Sequence, residues 1–289
     1  MQRREFPEQL EPDETPEEYV TNRLADVNAK KGYSYAQANP GYPEYQKQKD
    51  VIAIDLLCKE IEDVLPKVEG LMKKIFSGVG SITEQTKTAA VYMLIGKAYG
   101  SLQSALLLCR DGRNIEALEI CRSGKEALDL VIVFWEDENA NLLSKWFKGK
   151  IIDPSEVRDF QHKLINRELA DYYENEEQPI KDLLRNGYKI MSVYTHSAYS
   201  GLLDNVDVFN MDFDFERYGG YHYCIENFHV VEDLLIKILL QLQSSALKVG
   251  DTGAFTATKE ISKRFDVNLT KEQMKIVLAK YKKQAENKS

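Results

Sequence analysis

The sequence predicts an all-α protein: a helical bundle with a central close-packed antiparallel helix pair, an extended N-terminal arm and a small C-terminal helical unit. Three observations carry that prediction. From residue 50 onward apolar residues recur at three- to four-residue spacing, the period of a helix with one buried face. Two consecutive stretches carry small residues at the same spacing, Gly96, Gly100 and Ser104 in the first and Ala117, Cys121 and Gly124 in the second. Only "DNVDVFNMDFDFERYGG" alternates acidic with apolar residues, as an extended loop or a short strand does.

Residues 1–50 read as the arm. They hold five of the eight prolines and little apolar periodicity, yet include Tyr33, Tyr35, Tyr42 and Tyr45. Disordered segments are poor in aromatics, so an arm anchored by tyrosines, across its own bundle or a neighbouring subunit, stands beside a loose tail as a reading. Residues 51–249 read as the bundle domain. "DVIAIDLLCKEIEDVLPKVEGLMKKIF" places Ile52, Leu56, Ile61, Val64, Val68 and Leu71 on one face, with a kink expected at Pro66. "SITEQTK" offers a capping box, Ser81 as N-cap and Glu84 at the third position, opening a helix to about Arg110 that stops at Gly112. The short "RDGRN" connection makes this helix and the next an antiparallel hairpin, with the small-residue stripes facing each other.

Further along, Asp153 as N-cap, Pro154 at the first position and Glu156 at the third start another helix. "PIKDLLRNGYKIMSVYTH" is expected to be helical to about His196, and "YHYCIENFHVVEDLLIKILLQLQSSALKV" to form one long amphipathic helix. Residues 250–289 read as a basic helical tail, with Thr270 and Gln273 as a capping box.

Charge and composition exclude several classes. The chain carries 38 basic and 46 acidic side chains, a net −8. Residues 51–249 hold −9 of this and residues 250–289 hold +4. An acidic body argues against nucleic acid as a partner. The longest apolar runs, such as "LDLVIVFW", fall short of the roughly 20 residues a membrane span requires. The first residues lack an apolar signal core, so the expected location is the cytoplasm. Cys58, Cys109, Cys121 and Cys224 are scattered with no C-x-x-C spacing, as reduced, buried thiols would be.

Arg122 and Glu126 are the first candidates for chemistry, two opposite charges one turn apart within an otherwise small or apolar helix, with Glu119 on the same side. An exposed pair at this spacing contributes about 0.3–0.5 kcal/mol, whereas removing one partner of a buried pair costs on the order of 3–5 kcal/mol. A structural ion pair and a ligand-facing cluster both fit.

The runs "GRNIEALEICRSGKEALDL" and "SVYTHSAYSG" resemble a bacterial all-α family known only as a domain of unknown function. The matching residues are Gly112, Glu116, Ala117, Arg122, Glu126, Ala127, Ser192, Tyr194 and His196, across about residues 85–205. That resemblance implies a helical bundle in which Arg122, Glu126 and His196 converge. His196, at a helix C-terminus and beside a carboxylate, would have a raised pKa and move protons near neutrality.

Two further constellations lie in "RYGGYHYCIENFH". His222, Glu226 and His229 stand at i, i+4 and i+7, and Glu226-x-x-His229 is the spacing used by di-iron carboxylate bundles, with Asp159 and His162 an approximate second half. Arg217 and His222 have an R-x4-H spacing that resembles helical nucleases of the HEPN type, which implies metal-independent RNA cleavage by that pair at a subunit interface. Gly219 and Gly220 fall where that helix should already have begun. No phosphate-binding glycine loop, zincin motif or serine-hydrolase elbow occurs, and the sequence calls for no cofactor. The leading expectation is a non-catalytic binding or interaction module: a homo-oligomer with a small polar ligand at Arg122, Glu126, Tyr194 and His196. An endoribonuclease using Arg217 and His222, and a metal site at Glu226 and His229, are the alternatives.

Overall fold

The computed structural model describes residues 42–80, 83–137, 140–169, 206–207, 212–213 and 218–265. These form an all-α bundle. Its helices are α1 (Tyr42–Glu62), α2 (Leu65–Ile75), α3 (Lys87–Arg110), α4 (Asn114–Glu136), α5 (Asn141–Phe147), α6 (Pro154–Leu169), α7 (Tyr218–Glu226), α8 (Phe228–Val249) and α9 (Thr252–Lys263). The alternating stretch gives two short strands, β1 (Val206–Asp207) and β2 (Asp212–Phe213), paired antiparallel with Val206 opposite Phe213.

The α3–α4 hairpin is the centre, as its short connection dictates. Gly112 adopts φ +66, and the bonds Gly112 N–H to Cys109 O (3.0 Å) and Arg113 N–H to Leu108 O (2.8 Å) close α3 in a Schellman motif. A Cβ on Gly112 would also stand 3.1 Å from the Tyr221 ring of α7. Only glycine meets both demands.

Contacts fix the helix directions. Arg110 bonds Asp55, Cys58 donates to the Leu106 carbonyl and Tyr99 to that of Leu65, so α1 and the start of α2 run antiparallel to α3. Asn114 meets Asn227, Lys125 meets Asp233, Trp135 meets Ser245 and Glu136 meets Lys248. Both numbers rise together, so α4 and α8 are parallel neighbours, with Leu128, Phe134, Leu234, Ile238 and Leu242 fully buried. Burying each such side chain contributes roughly 1.5–3 kcal/mol. Helix α6 packs on α4, α7 on α1, and α9 on α8 and α2.

Several local expectations are corrected. Pro66 does not kink a continuous helix: α1 ends at Glu62 and α2 restarts at Leu65, with the proline in its first turn, where no N–H is lost. The N-cap of α3 is Thr86, in extended conformation and accepting from the Ala89 N–H at 3.1 Å, so the helix begins after Glu84; Ser81 lies outside the described residues. Ile52 and Leu56 are exposed, and α1 buries Ile54, Cys58 and Ile61 instead. The close approach between α3 and α4 does not use Gly96, Gly100 and Ser104: a Cβ on either glycine would meet nothing within 4 Å, and Ser104 is exposed. It lies at Gly124, where a Cβ would be 3.0 Å from both Leu234 and Ser101.

The Asp153–Glu156 start of α6 forms as read. Ser155 N–H donates to Asp153 at 2.7 Å and Asp153 N–H to Glu156 at 3.3 Å. These bonds hold both carboxyls below the usual range, with the Ser155 hydroxyl first for Asp153 and Lys145 first for Glu156. Thr270, Gln273 and the expected helix ending at His196 lie outside the described residues.

Candidate functional site

Helix α4 turns a polar seam towards α6 and α8. Arg122 and Glu126 lie at its wetter edge. The Arg122 Nε donates to Glu126 Oε1 at 2.9 Å, and the side chains are 18% and 38% exposed. The pair is therefore partly buried, neither sealed in the core nor fully in solvent. Glu119 is exposed.

The buried charges are their neighbours. Lys125 and Asp129, again at i,i+4, are 6% and 8% exposed. The Lys125 Nζ lies 3.5 Å from Asp233 Oδ2 on α8, and that carboxylate is largely in solvent. Burial pulls the Lys125 ammonium below its ordinary pKa, opposed chiefly by Asp233. Burial likewise raises the Asp129 carboxyl, opposed by Lys237 of α8 and by a hydrogen bond with Gln161 of α6. Gln161 is itself buried. Lys125 and Asp129 on α4 thus face an anion and a cation on α8, Asp233 and Lys237, also four residues apart.

Sequence reasoning passed over Lys125 and Asp129, which sit inside the quoted motif run. Their signal was the pair of interleaved i,i+4 charges within an apolar helix. Nothing in the pattern says which pair turns inward.

His229 borders the seam. Its pKa is lowered, chiefly by burial, and its Nδ1 lies 3.1 Å from the Glu226 carbonyl, the geometry of an Nδ1–H donor. The expected single long helix is divided: α7 ends at Glu226 and α8 begins at Phe228. Asn227 interrupts the chain between α7 and α8, with its side chain donating to Asn114 Oδ1 at 3.2 Å. Glu226 and His229 thus stand on consecutive helices, with the His229 ring against the Glu226 backbone. Among the described residues no group of three or more His, Cys, Asp or Glu side chains is arranged to hold a metal. The His162 side chain is outside them.

The glycines at 219 and 220 do not delay the helix, contrary to the sequence reading. Helix α7 starts at Tyr218 and Gly220 is buried. Arg217, the His222 side chain, Ser192, Tyr194 and His196 lie outside the described residues.

The four cysteines are buried and unbridged. Cys58 and Cys121 are each pushed up to about 12, first by burial, and Cys109 is raised first by its hydrogen bond with Cys224. Thiols held this firmly protonated are poor nucleophiles. An open cavity of about 450 Å³ lies at the meeting of α2, α3, α8 and α9, lined by Lys74, Phe76, Glu84, Thr86, Val249 and Asp251 among others. It contains none of the sequence-derived candidates. Val249 is twelve residues beyond Lys237, about 18 Å along α8 at 1.5 Å per residue.

No family model, curated protein or solved structure matches the chain. No helix among the described residues is long and apolar enough to cross a membrane.

Proposed function

We propose that the chain is a non-catalytic binding or interaction module, working in the cytoplasm as a homo-oligomer, with a small polar ligand held along the α4 seam. One observation carries this reading: Lys125 and Asp129 are buried charges on the face that also presents the half-buried Arg122–Glu126 pair. Apolar residues of similar volume are often neutral or more stable at such positions, and buried groups with perturbed ionisation concentrate at functional sites. Arg122 and Glu126 are the ligand-facing cation and anion, and Lys125 and Asp129 form the floor. Tyr194 and His196 join the pocket on the strength of the family resemblance.

Native mass spectrometry of the purified protein, set against its denatured mass, tests this. A surplus mass that disappears in the Arg122→Ala variant is the expected result. A chain with no surplus mass, and no thermal shift on adding amino acids, nucleotides or sugar phosphates, would remove the ligand from the proposal.

A second reading, a HEPN-type endoribonuclease using Arg217 and His222, is favoured by one observation: α7 is helical from Tyr218, so His222 stands on a helix that Arg217 adjoins. It predicts RNA cleavage without added metal and its loss in His222→Ala.

A further inference from the structure

We propose that Cys109 of α3 and Cys224 of α7 are a redox-modification site, at which a low-molecular-weight disulfide oxidises the two thiols to a bond that latches α7 onto the end of α3. The site is separate from the α4 seam and does not depend on a ligand there.

The cysteines are scattered along the chain, yet the fold gathers them. Cys58 of α1, Cys109, Cys121 of α4 and Cys224 all belong to one apolar core. Burial raises the Cys58 and Cys121 thiols first, and Cys109 is near enough to each to raise it further. One pair within this group is in contact. Tyr221, Cys224 and Asn227 follow one another at intervals of three residues, the spacing of neighbours on one helix face. The Tyr221 ring comes within 3.1 Å of where a Cβ on Gly112 would stand, and Asn227 donates to Asn114 at 3.2 Å. Cys224 sits between these two contacts, so it faces the α3–α4 connection. Cys109 precedes Gly112 by three residues, is buried like Cys224, and its thiol shares a hydrogen bond with the Cys224 thiol. The Cys58 thiol is turned elsewhere, donating to the Leu106 carbonyl.

The closed fold shields the pair, because neither sulfur meets solvent and a buried thiol holds its proton. Reaction follows local opening of α7. This helix has nine residues and ends at the Asn227 break, so it can lift without carrying α8 with it. Once uncovered, Cys224 gives up its proton and its thiolate attacks the small disulfide, whose S–S bond breaks and releases one small thiolate. Cys109 then gives up its proton and attacks the Cys224 sulfur of the mixed disulfide, and the second small thiolate leaves. Two protein thiols are oxidised, one small disulfide is reduced, and the two protons pass to the departing thiolates. Excess small thiol reverses both steps.

The test incubates the folded full chain with oxidised glutathione, blocks remaining thiols, and maps peptides without reduction. The expected result is an intact mass lower by two hydrogens, with the Cys109 peptide joined to the Cys224 peptide. Amide exchange within α7 should then slow at least about tenfold relative to the reduced chain, because the opening that permits it is tied shut. Thiols that stay reduced unless denaturant is added, a glutathione adduct that never resolves, or a link through Cys58 or Cys121 would each overturn the site. A Cys109–Cys224 link that leaves α7 exchange unchanged would overturn the latch.

Discussion

Two ion-bearing pairs on α4 share a spacing and a helix, yet meet different fates. Arg122 and Glu126 bond each other at 2.9 Å at the edge of the seam, where water reaches both. Lys125 and Asp129 are buried and find their partners on other helices, Asp233 and Lys237 on α8 and Gln161 on α6. The bond of the first pair runs along its own helix. The second pair depends on α4, α6 and α8 being together, so its charges are tied to the packing of the bundle. Burial, not spacing, decides what an i,i+4 pair does.

The largest expected effect breaks the inner pair. Lys125→Glu sets an anion between Asp129 and Asp233 and is expected to destabilise by about 3–5 kcal/mol, read from urea unfolding midpoints. Lys125→Met keeps the length and removes the buried charge, and is expected to be neutral or to stabilise, because Asp233 can rehydrate. If both variants lose stability equally, the charge of Lys125 is a structural asset and the contrast between the pairs collapses. Next comes the floor beneath them. Gly124→Ala introduces a Cβ 3.0 Å from fully buried Leu234 and from Ser101, with an expected cost of about 1–3 kcal/mol. Gly96→Ala, with open space at its Cβ inside α3, is the control and should stabilise by about 0.5–1 kcal/mol, the helix propensity gained over glycine.

A pH series sharpens the comparison. The Asp129 carboxyl is raised above its ordinary value of 3.8, mainly by burial, so the folded state binds this proton more readily than the unfolded state. Its contribution to stability therefore falls as pH rises from 3.8 through the raised value, and the charge-burial cost is fully present above that. Asp129→Asn should be more stable than the parent at neutral pH, with the gap narrowing as pH falls towards 3.8. A gap that stays constant from neutrality to pH 3.8 would show that Asp129 is not the titrating group. The smallest effect belongs to the outer pair. A double-mutant cycle on Arg122→Ala and Glu126→Ala should return a coupling of about 0.3–0.5 kcal/mol, reduced by added salt. A coupling several times larger would place this pair with the buried one.

Much of the fold was legible because it rests on local chemistry. The hairpin turn at Gly112, the Asp153–Glu156 helix start and the short strands near Val206 and Phe213 follow from residues adjacent in sequence. The misreadings have a common origin. Ile52 and Leu56 fit a helical apolar stripe, but so do Ile54, Cys58 and Ile61, and a period cannot say which stripe meets the bundle. Gly96 and Gly100 mark a small-residue face where, among the described residues, nothing comes within 4 Å of an added Cβ. The break at Asn227 could not be read from "HYCIENFH", because the Asn114 side chain that Asn227 bonds there is distant in sequence.

By itself, then, the sequence determined the all-α class, the central hairpin, the acidic body and the presence of two charge pairs on α4. Tertiary structure alone decided which pair is buried, because three residues turn a helix through about 300°, and the two pairs therefore point only about 60° apart. Apolar surface on both sides of that angle lets either edge face inward in an isolated helix. The arrival of α8 parallel to α4, with Leu234 close against Gly124, selects the edge that carries Lys125 and Asp129.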